Sequence, residues 1–353
     1  MVLDAPPMEN APTRILIIDT AWVGDVVFTT ALVEATKKLW PEACLDLLIA
    51  PRAAGIVRSH PHIREVIVYD KAKSERGVSA LFALGRRLRE RKFDMVLCAH
   101  PSFRSALLAK LSAAPVRVGY KAPWAPFCFT HVCTNDLAVE PFHVERRLNL
   151  LRAVGFSVED PGIHVVISSE ARDFAARFLE AAKVSSPLLG IIPGSAWATK
   201  RWPAKKFCEL AEAAGKRLQA QSLIFAGKED GVHIREIAQG VEPEPILVLG
   251  QPLEHVAALL SRCQWVVGND TGLSYLAVAI GGPAVRVLYG STQVNFRFHA
   301  PHQAIVAGIP CCCRRTGHGK RKCSWGDPPV CMDAIEPERV LASLMPLSIK
   351  HEH

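Results

Sequence analysis

Short apolar runs alternate along this chain with longer stretches whose apolar residues recur at helical spacing. In the first half, the runs predict strands at 14–19, 45–50, 65–69, 95–99 and 116–119, with helices at 25–40 and 74–92. Strands that alternate with helices are typical of a parallel sheet with crossover helices. The first half therefore predicts one α/β unit.

A loop-like stretch at 155–169 interrupts this series, and a helix at 170–183 opens a second one. Strands are predicted there at 188–192, 222–225, 246–249 and 265–267, with helices at 204–218, 253–262 and 272–280. The chain is thus predicted to fold as two Rossmann-like domains, 1–165 and 166–353. The last helix is a candidate to pack back on the first domain.

Composition agrees with two globular domains, because 353 residues with 49% hydrophobic and 22% charged residues suffice for two cores. No apolar run approaches the roughly 18 residues that a membrane span needs. The amino terminus carries an acidic residue where a secretory signal carries basic ones. We therefore expect a cytoplasmic protein.

The chain is basic, with 42 Lys and Arg against 34 Asp and Glu, which favours anionic partners such as nucleic acid, a membrane surface or phosphorylated small molecules. One block of cations, at 86–92, falls on the predicted helix 74–92. A solvated helix face explains this block better than membrane contact does. No nucleic-acid-binding motif accompanies the charge, so a nucleic-acid partner is disfavoured.

Eleven cysteines are present, and five of them cluster near the carboxyl terminus at Cys311, Cys312, Cys313, Cys323 and Cys331. The cluster contains no C-x-x-C pair, and three consecutive cysteines cannot easily ligate one tetrahedral ion. Free thiols or a disulfide are therefore favoured over a zinc site, and no metal site is predicted.

The loop after the first predicted strand places Asp25 at the start of a helix. This loop holds Gly24 but lacks G-x-G-x-x-G, which disfavours a nicotinamide or flavin enzyme. Asp25 is either a first-turn acid stabilised by the helix dipole or a general base facing the cleft between the domains. A single carboxylate suits in-line displacement, since a retaining double displacement needs a second one.

Three loops of the second half carry residues that suit a nucleotide. The loop 193–203 combines glycine and hydroxyl residues with adjacent cations, which suits a phosphate or diphosphate. The segment 268–272 precedes an apolar helix, whose start either receives phosphate oxygens or is capped by Asp270 or Thr271. The turn 227–230 places acids where ribose hydroxyls could bind.

These segments, in this order, resemble the heptosyltransferases of glycosyltransferase family 9, which extend the inner core of lipopolysaccharide. The resemblance is carried by ILIIDTAWVGDVVFTTAL, RVGY, HVERRLNLL, PGSAWATKRWP and VVGNDTGLSYLAVAIGGP, which span nearly the whole chain. The second-half motifs look more similar to the heptosyltransferase II type than to type I. The resemblance implies a GT-B fold, an ADP-heptose donor bound mainly by the second domain, an acceptor bound by the first, and inversion without a metal or other cofactor.

The resemblance also assigns roles to residues. Asp25 would be the general base, and Lys200 would lie on the diphosphate beside the helix start at Asp270, Thr271 and Gly272. The further donor candidates are Ser195, Thr199, Glu229, Asp230 and Gln251, and the acceptor candidates are Gly24, Arg52, Arg117, His143 and Arg146.

Rival structural roles remain open for several of these residues. Arg117 and Arg146 could form ordinary ion pairs, His143 could be a packed histidine, and Trp202 belongs more readily to the core than to a ligand site. Tyr275 stands where the family usually carries histidine, so a donor-side hydrogen bond and the sugar preference are in question.

The implied partners are a nucleotide sugar and a lipopolysaccharide acceptor, with peripheral contact at the cytoplasmic face of the inner membrane. Two alternatives stay open. One is a family 9 transferase that uses another nucleotide sugar, and the other is a non-catalytic scaffold that binds a nucleotide or a metal.

Overall fold

The computed structural model describes residues 11–73, 75–227, 231–290, 294–309, 323–324 and 326–345, with the backbone alone at 231–233. It divides the chain into two compact units, Met1–Val166 and Ile167–His353.

The first unit contains a six-stranded parallel sheet. Its strands are β1 (Arg14–Asp19), β2 (Cys44–Ile49), β3 (Glu65–Val68), β4 (Met95–Cys98), β5 (Val116–Tyr120) and β6 (His131–Cys133). Its helices are α1 (Val23–Leu39), α2 (Ala54–Val57), α3 (Val78–Glu90), α4 (Phe103–Leu111), α5 (Ala125–Cys128) and α6 (His143–Arg152). The strand order is β3-β2-β1-β4-β5-β6.

The second unit has the same architecture. Its strands are β7 (Leu188–Ile192), β8 (Gln221–Ala226), β9 (Ile246–Leu249), β10 (Trp265–Asn269), β11 (Ala284–Tyr289) and β12 (Gln303–Val306). Its helices are α7 (Ser169–Ala181), α8 (Ala204–Leu218), α9 (Gly231–Gln239), α10 (Leu253–Leu260), α11 (Gly272–Ile280), α12 (Val330–Asp333) and α13 (Pro337–Leu344). The parallel order β12-β11-β10-β7-β8-β9 matches that of the first sheet when the strands are renumbered from β7.

Burial explains why these strands form. The side chains of Ile15 to Ile18 on β1 are 0% exposed, because helices cover both faces of a parallel sheet. Continuous apolar runs therefore become central strands. The predicted α/β fold with two Rossmann-like parallel sheets is confirmed.

The order of the strands places the functional loops. Each sheet has a central pair of strands, β1 and β4 in the first sheet and β7 and β10 in the second. From one strand of the pair the chain continues toward one edge of the sheet, and from the other strand it continues toward the opposite edge. Loops that leave the carboxyl ends of such a pair diverge and open a crevice for ligands. The loops that contain Asp25, Lys200 and Asp270 all leave strands of these pairs.

The last described helix, α13, packs on α8 and β11 of its own unit. Val340, Leu341 and Leu344 are buried in that core. The apolar face of α13 is thus used within the second unit. None of the helices in the described ranges combines the length and hydropathy that a membrane span requires.

Candidate active site

Asp25 lies in the first turn of α1 and has a partly accessible carboxylate. One oxygen accepts a long hydrogen bond of 3.4 Å from the backbone N–H of Trp22, which caps the helix start. The other accepts a hydrogen bond of 2.9 Å from Nη2 of Arg147. The side chain remains 34% exposed. Asp25 therefore stabilises the helix and also presents a carboxylate at the carboxyl edge of the sheet.

Arg147 links Asp25 to a second carboxylate beneath it. Nη2 of Arg147 lies 3.6 Å from the carboxylate of Asp19, which is 0% exposed. Nε of Arg147 donates to the hydroxyl of Thr29 at 2.9 Å, and that hydroxyl donates to Asp19 at 2.6 Å. Arg146 was a candidate from sequence, whereas its neighbour Arg147, which forms this ion-pair network, was not.

The two carboxylates have different environments. Burial raises the pKa of Asp25, but the charge and hydrogen bond of Arg147 outweigh it and hold the pKa below its usual value. For Asp19, burial is the larger effect, and its pKa is raised despite Arg147. Asp25 is thus the ionised group that a solute can reach, whereas Asp19 supports it from below.

His100 and Lys71 join this edge from the loops after β4 and β3. The hydroxyl of Thr20 lies 2.9 Å from Nδ1 of His100, and Nζ of Lys71 donates to the carbonyl of Thr20 at 2.8 Å. Burial, together with the charge of Lys71, lowers the pKa of His100 to about 4, so this histidine is neutral near pH 7. Lys71 therefore adds positive charge beside the Asp25 loop, and His100 adds a neutral hydrogen-bonding ring.

The structure brings four of the five acceptor candidates to this edge. Gly24 is in the first turn of α1, and the guanidinium of Arg52 lies 4.2 Å from the ring centre of Trp22. The ring of His143 stacks on Phe28, with centroids 4.8 Å apart, at the start of α6. Nη1 of Arg146 donates to Asn135, and its buried Nε has no hydrogen-bond partner among the described residues.

Arg117 lies elsewhere. It is the second residue of β5, and its guanidinium donates to the carbonyls of Ala114 and Cys128, which lie just before β5 and just before β6 respectively. Those carbonyls are at the amino edge of the sheet, because they precede parallel strands. Arg117 thus braces two loops at the edge opposite Asp25.

In the second unit, Lys200 and Asp270 meet. Nζ of Lys200 lies 2.5 Å from Oδ2 of Asp270. The two loops that the sequence singled out separately therefore form one cluster.

Backbone contacts fasten the same two loops together. The amide N–H of Trp202 donates to Oδ1 of Asn269 at 3.0 Å, and Nδ2 of Asn269 donates to the carbonyl of Pro193 at 2.8 Å. A Cβ on Gly268 would lie 2.8 Å from Cβ of Ile192, so only glycine permits this approach. Trp202 is 0% exposed, as its interpretation as a core residue predicted.

The start of α11 lies at this cluster. Thr271 is the N-cap residue, yet its side chain makes no capping hydrogen bond, and its buried hydroxyl has no partner among the described residues. Capping by Thr271, one of the two structural roles considered from sequence, is therefore wrong. Gly272 opens the helix, so backbone N–H groups of the first turn face the same place as Lys200.

The remaining donor candidates are placed less closely. The hydroxyl of Ser195 accepts from the N–H of Trp197 at 3.3 Å, and Thr199 lies on the short 3-10 turn Ala198–Lys200. Gln251 follows Gly250, which lines a mainly apolar cavity of about 490 Å³ at the carboxyl ends of β8 and β9. Glu229 and Asp230 fall outside the described residues.

Metal ligands are not grouped in the part of the chain that the structure describes, where no three His, Cys, Asp or Glu side chains could hold an ion. Cys331 is buried on α12. Cys311, Cys312 and Cys313 lie outside the described residues, so the cluster predicted from sequence is only partly in view.

Comparison with known proteins decides the family. The sequence model described as glycosyltransferase family 9 (heptosyltransferase) matches residues 81–316, which is more than half of the chain. The chain belongs to glycosyltransferase family 9. It is therefore a glycosyltransferase, and the resemblance of its motifs to this family is confirmed.

Relatives and solved structures agree with this family. Lipopolysaccharide heptosyltransferase 2 of Escherichia coli K12 is 25% identical over 355 residues, which cover 96% of this chain and 99% of the relative. The glycosyl transferase family 9 structure from Veillonella parvula DSM 2008 superposes with a TM-score of 0.84 at 24% identity, over 96% of this chain and 98% of that chain. E. coli ADP-heptose lps heptosyltransferase II gives 0.76 at 23% identity, over 94% and 97%. The fold of this family 9 enzyme is thus the GT-B fold.

Tyr275, for which the resemblance put a donor-side hydrogen bond in question, is buried beside Asp270. It is 5% exposed, and its hydroxyl donates to Oδ1 of Asp270 at 2.6 Å and lies 2.5 Å from the hydroxyl of Tyr289. Burial, then the charge of Asp270, raise the pKa of Tyr275 well above its usual value, so the hydroxyl stays protonated. Tyr275 therefore holds the carboxylate of Asp270, which in turn pairs with Lys200.

We expect Tyr275→Phe to lower the free energy of unfolding by about 1.5–3 kcal/mol, since Asp270 loses a charged hydrogen bond in buried surroundings. Tyr289→Phe removes only a hydroxyl–hydroxyl contact and should cost about 0.5–1.5 kcal/mol. Urea unfolding of the two variants measures both values. Equal losses, or a larger loss in Tyr289→Phe, would contradict this order.

Proposed function

We propose that this enzyme transfers heptose from ADP-L-glycero-β-D-manno-heptose to the inner core of lipopolysaccharide, with inversion at the anomeric carbon. The second unit binds the nucleotide sugar, and the first unit binds the acceptor. The observation that carries the proposal is the convergence of Lys200, Asp270 and the start of α11 in a family 9 enzyme whose relatives bear the name heptosyltransferase.

The donor half of the proposal rests on charge. The diphosphate of ADP-heptose would accept hydrogen bonds from Lys200 and from the first N–H groups of α11, where the dipole adds a partial positive charge. The orphan hydroxyl of Thr271 gives a further donor. The apolar cavity beside Gln251 suits the adenine ring. When the bond from the anomeric carbon to the diphosphate oxygen breaks, Lys200 stabilises the charge on the departing ADP, without a metal.

The acceptor half rests on Asp25. Its pKa below the usual value keeps it ionised near neutral pH, so it can take the proton from an acceptor hydroxyl as that oxygen attacks the anomeric carbon. Arg52, Lys71 and Arg146 place cations at the same edge. Cations there suit the carboxylates and phosphates of an inner-core acceptor.

Inversion is supported by the burial of the second carboxylate. A retaining enzyme needs a nucleophile as well as an acid–base residue, both in contact with the sugar. Asp19 is 0% exposed and already accepts hydrogen bonds from Thr29 and the N–H of Ala21. Asp25 is then left as the working carboxylate, as a single displacement requires.

We place the enzyme in the cytoplasm, in peripheral contact with the inner membrane that holds its acceptor. Two other functions are outcomes of the test below. They are transfer from another nucleotide sugar and a non-catalytic nucleotide-binding role.

Titration calorimetry with ADP, UDP, GDP and NAD tests the donor. We expect selective binding of ADP, weakened roughly 10- to 100-fold in Lys200→Ala, because a charge-assisted hydrogen bond contributes about 1.5–3 kcal/mol. Lys205→Ala is the matched control, since Lys205 is an exposed lysine of α8 whose side chain is 87% accessible. Its ADP affinity should equal that of the unmodified protein.

Each other outcome changes the proposal in a defined way. Preference for UDP or GDP would show that a different nucleotide sugar is the donor. ADP binding without transfer of a sugar to any acceptor would favour the non-catalytic nucleotide-binding role, and absence of nucleotide binding would remove the donor assignment. ADP binding that survives Lys200→Ala unchanged would remove Lys200 from the diphosphate site.

A further inference from the structure

Three phenylalanine side chains are largely exposed within the described ranges, and all three lie near helix starts in the first unit. Phe82 is 52% exposed on α3, Phe103 is 52% exposed at the first residue of α4, and Phe127 is 72% exposed on α5. Val78, the first residue of α3, is 65% exposed. We call Val78, Phe82 and Phe103 the edge patch. Phe127 lies apart from it, because it adjoins Cys128, whose carbonyl accepts from Arg117 at the amino edge.

The topology gathers the edge patch on one rim of the first sheet. Helices α3 and α4 follow the carboxyl ends of β3 and β4, so both begin at the same edge. Helix α3 packs on α4, and α4 packs on α5. The ring of Phe103 meets that of Trp124, just before α5, with centroids 5.9 Å apart. The loop and helix start that hold Asp25 leave this same edge, after β1.

Cations border the edge patch. Lys73 and Arg76 are exposed between β3 and α3, and Lys121 is exposed after β5. The guanidinium of Arg104 donates to the carbonyl of Arg76 at 2.8 Å and to the hydroxyl of Tyr69 at 3.2 Å, which fixes it at this rim.

Two carboxylates at the rim accept hydrogen bonds from backbone N–H groups of their own loop. The carboxylate of Asp70 accepts from the N–H of Lys73, and that of Glu75 accepts from the N–H of Asp70. The rim therefore presents cations beside apolar side chains.

We propose that this rim docks on an anionic lipid bilayer, with the edge patch inserted between head groups and Lys73, Arg76, Arg104 and Lys121 on lipid phosphates. Phenylalanine gains free energy when it leaves water for the acyl boundary, and cations near an anionic surface add to the attraction. The inference rests on the proposed function in one respect. Docking this edge brings a lipid-anchored acceptor to the side of the first unit that holds Asp25.

Vesicle flotation tests the surface without any substrate. The probes are vesicles of phosphatidylcholine alone and of phosphatidylcholine with phosphatidylglycerol at about 7:3. We expect binding to the anionic vesicles that falls when NaCl is raised from about 0.1 M to about 1 M. The double variant Phe82→Ser/Phe103→Ser should bind at least roughly tenfold more weakly, since neither position then offers a phenylalanine that gains free energy by leaving water.

Val330→Ser is the matched control, because Val330 is an exposed apolar residue of the second unit at 43%. Its vesicle binding should equal that of the unmodified protein. Equal binding by the double variant, or no binding of the unmodified protein to anionic vesicles, would overturn the proposal. The proposal would also be overturned if the unmodified protein formed a dimer without lipid and the double variant were a monomer, since the patch would then face a second copy.

Transfer assays separate this inference from the proposed function. The double variant should lose rate on an acceptor held in anionic vesicles and keep its rate on the de-acylated, water-soluble acceptor. Equal losses on both would overturn the docking surface. If the unmodified protein glycosylates neither acceptor, the proposed function fails, while flotation still decides the surface.

Discussion

Asp25→Asn is expected to lower kcat by about 10²- to 10⁴-fold, because the acceptor hydroxyl then loses its general base. ADP affinity should stay unchanged, since Lys200 and the start of α11 belong to the other unit. Asparagine keeps an oxygen that accepts a hydrogen bond from Arg147, so this contact is weakened but not lost. Initial rates with purified acceptor, together with calorimetry, measure the two effects on the same preparation.

The pH profile gives a second readout for the same residue. Since the pKa of Asp25 lies below its usual value, kcat/KM of the unmodified enzyme should show no acid limb from this group between about pH 5 and pH 8. Glu42→Gln, an exposed acid just before β2, should leave both kcat and the profile unchanged. More than a tenth of the activity in Asp25→Asn would place the base elsewhere.

Arg147→Met is expected to lower the free energy of unfolding by about 3–5 kcal/mol at about pH 8, because it leaves Asp19 and Asp25 without their shared buried cation. The side chain of Arg147 is only 4% exposed, so water cannot replace it freely. Urea unfolding followed by circular dichroism measures the loss.

The sign of the pH dependence distinguishes this loss from one of packing alone. Without Arg147, the pKa of each carboxylate rises in the folded state, so the folded state binds more protons than the unfolded state as pH falls. The deficit should therefore shrink between about pH 8 and about pH 5. Arg64→Met is the comparison, because buried Asp46 keeps Arg91 at 3.2 Å and the cost should be smaller. A deficit that is constant with pH would argue against the ion-pair network.

The elements predicted well from sequence are those whose apolar pattern has clear ends. The strands β1, β7 and β9 and the helices α8 and α11 have the predicted bounds. Their apolar runs or stripes end at charged, glycine or proline residues, so pattern and structure coincide. The helix predicted at 74–92 begins later, at Val78, and ends at Glu90.

Two of the three strands that were missed, β6 and β11, do not show such runs; the third is β12. β6 is three half-buried residues at a sheet edge, and β11 is interrupted by Arg286. The guanidinium of Arg286 donates to the carbonyl of Pro301 at 2.6 Å and to the hydroxyl of Ser343 at 3.0 Å. A buried arginine that satisfies backbone carbonyls cannot be distinguished from a surface arginine by pattern alone.

In the candidate site, too, the residues found from sequence are those that a local pattern marks. Asp25, Lys200 and Asp270 were found because each sits in a loop with its own chemistry. Arg147 was missed although the helical spacing offered a pointer, since Arg147, like Arg146, lies one helical turn after His143 and shares its face. Lys71 and His100 come from separate loops, and the sheet order that unites them was not predicted in detail.

Among the described residues, the two sheets have no strand in common, and the strands of each sheet pair only within one unit. Unfolding of this chain therefore need not be a single all-or-none event, because each core can lose order on its own. A substitution such as Arg147→Met lowers the stability of the first unit only. A melting curve of the variant would then separate into two steps, and the later step would report a second unit that still recognises its nucleotide.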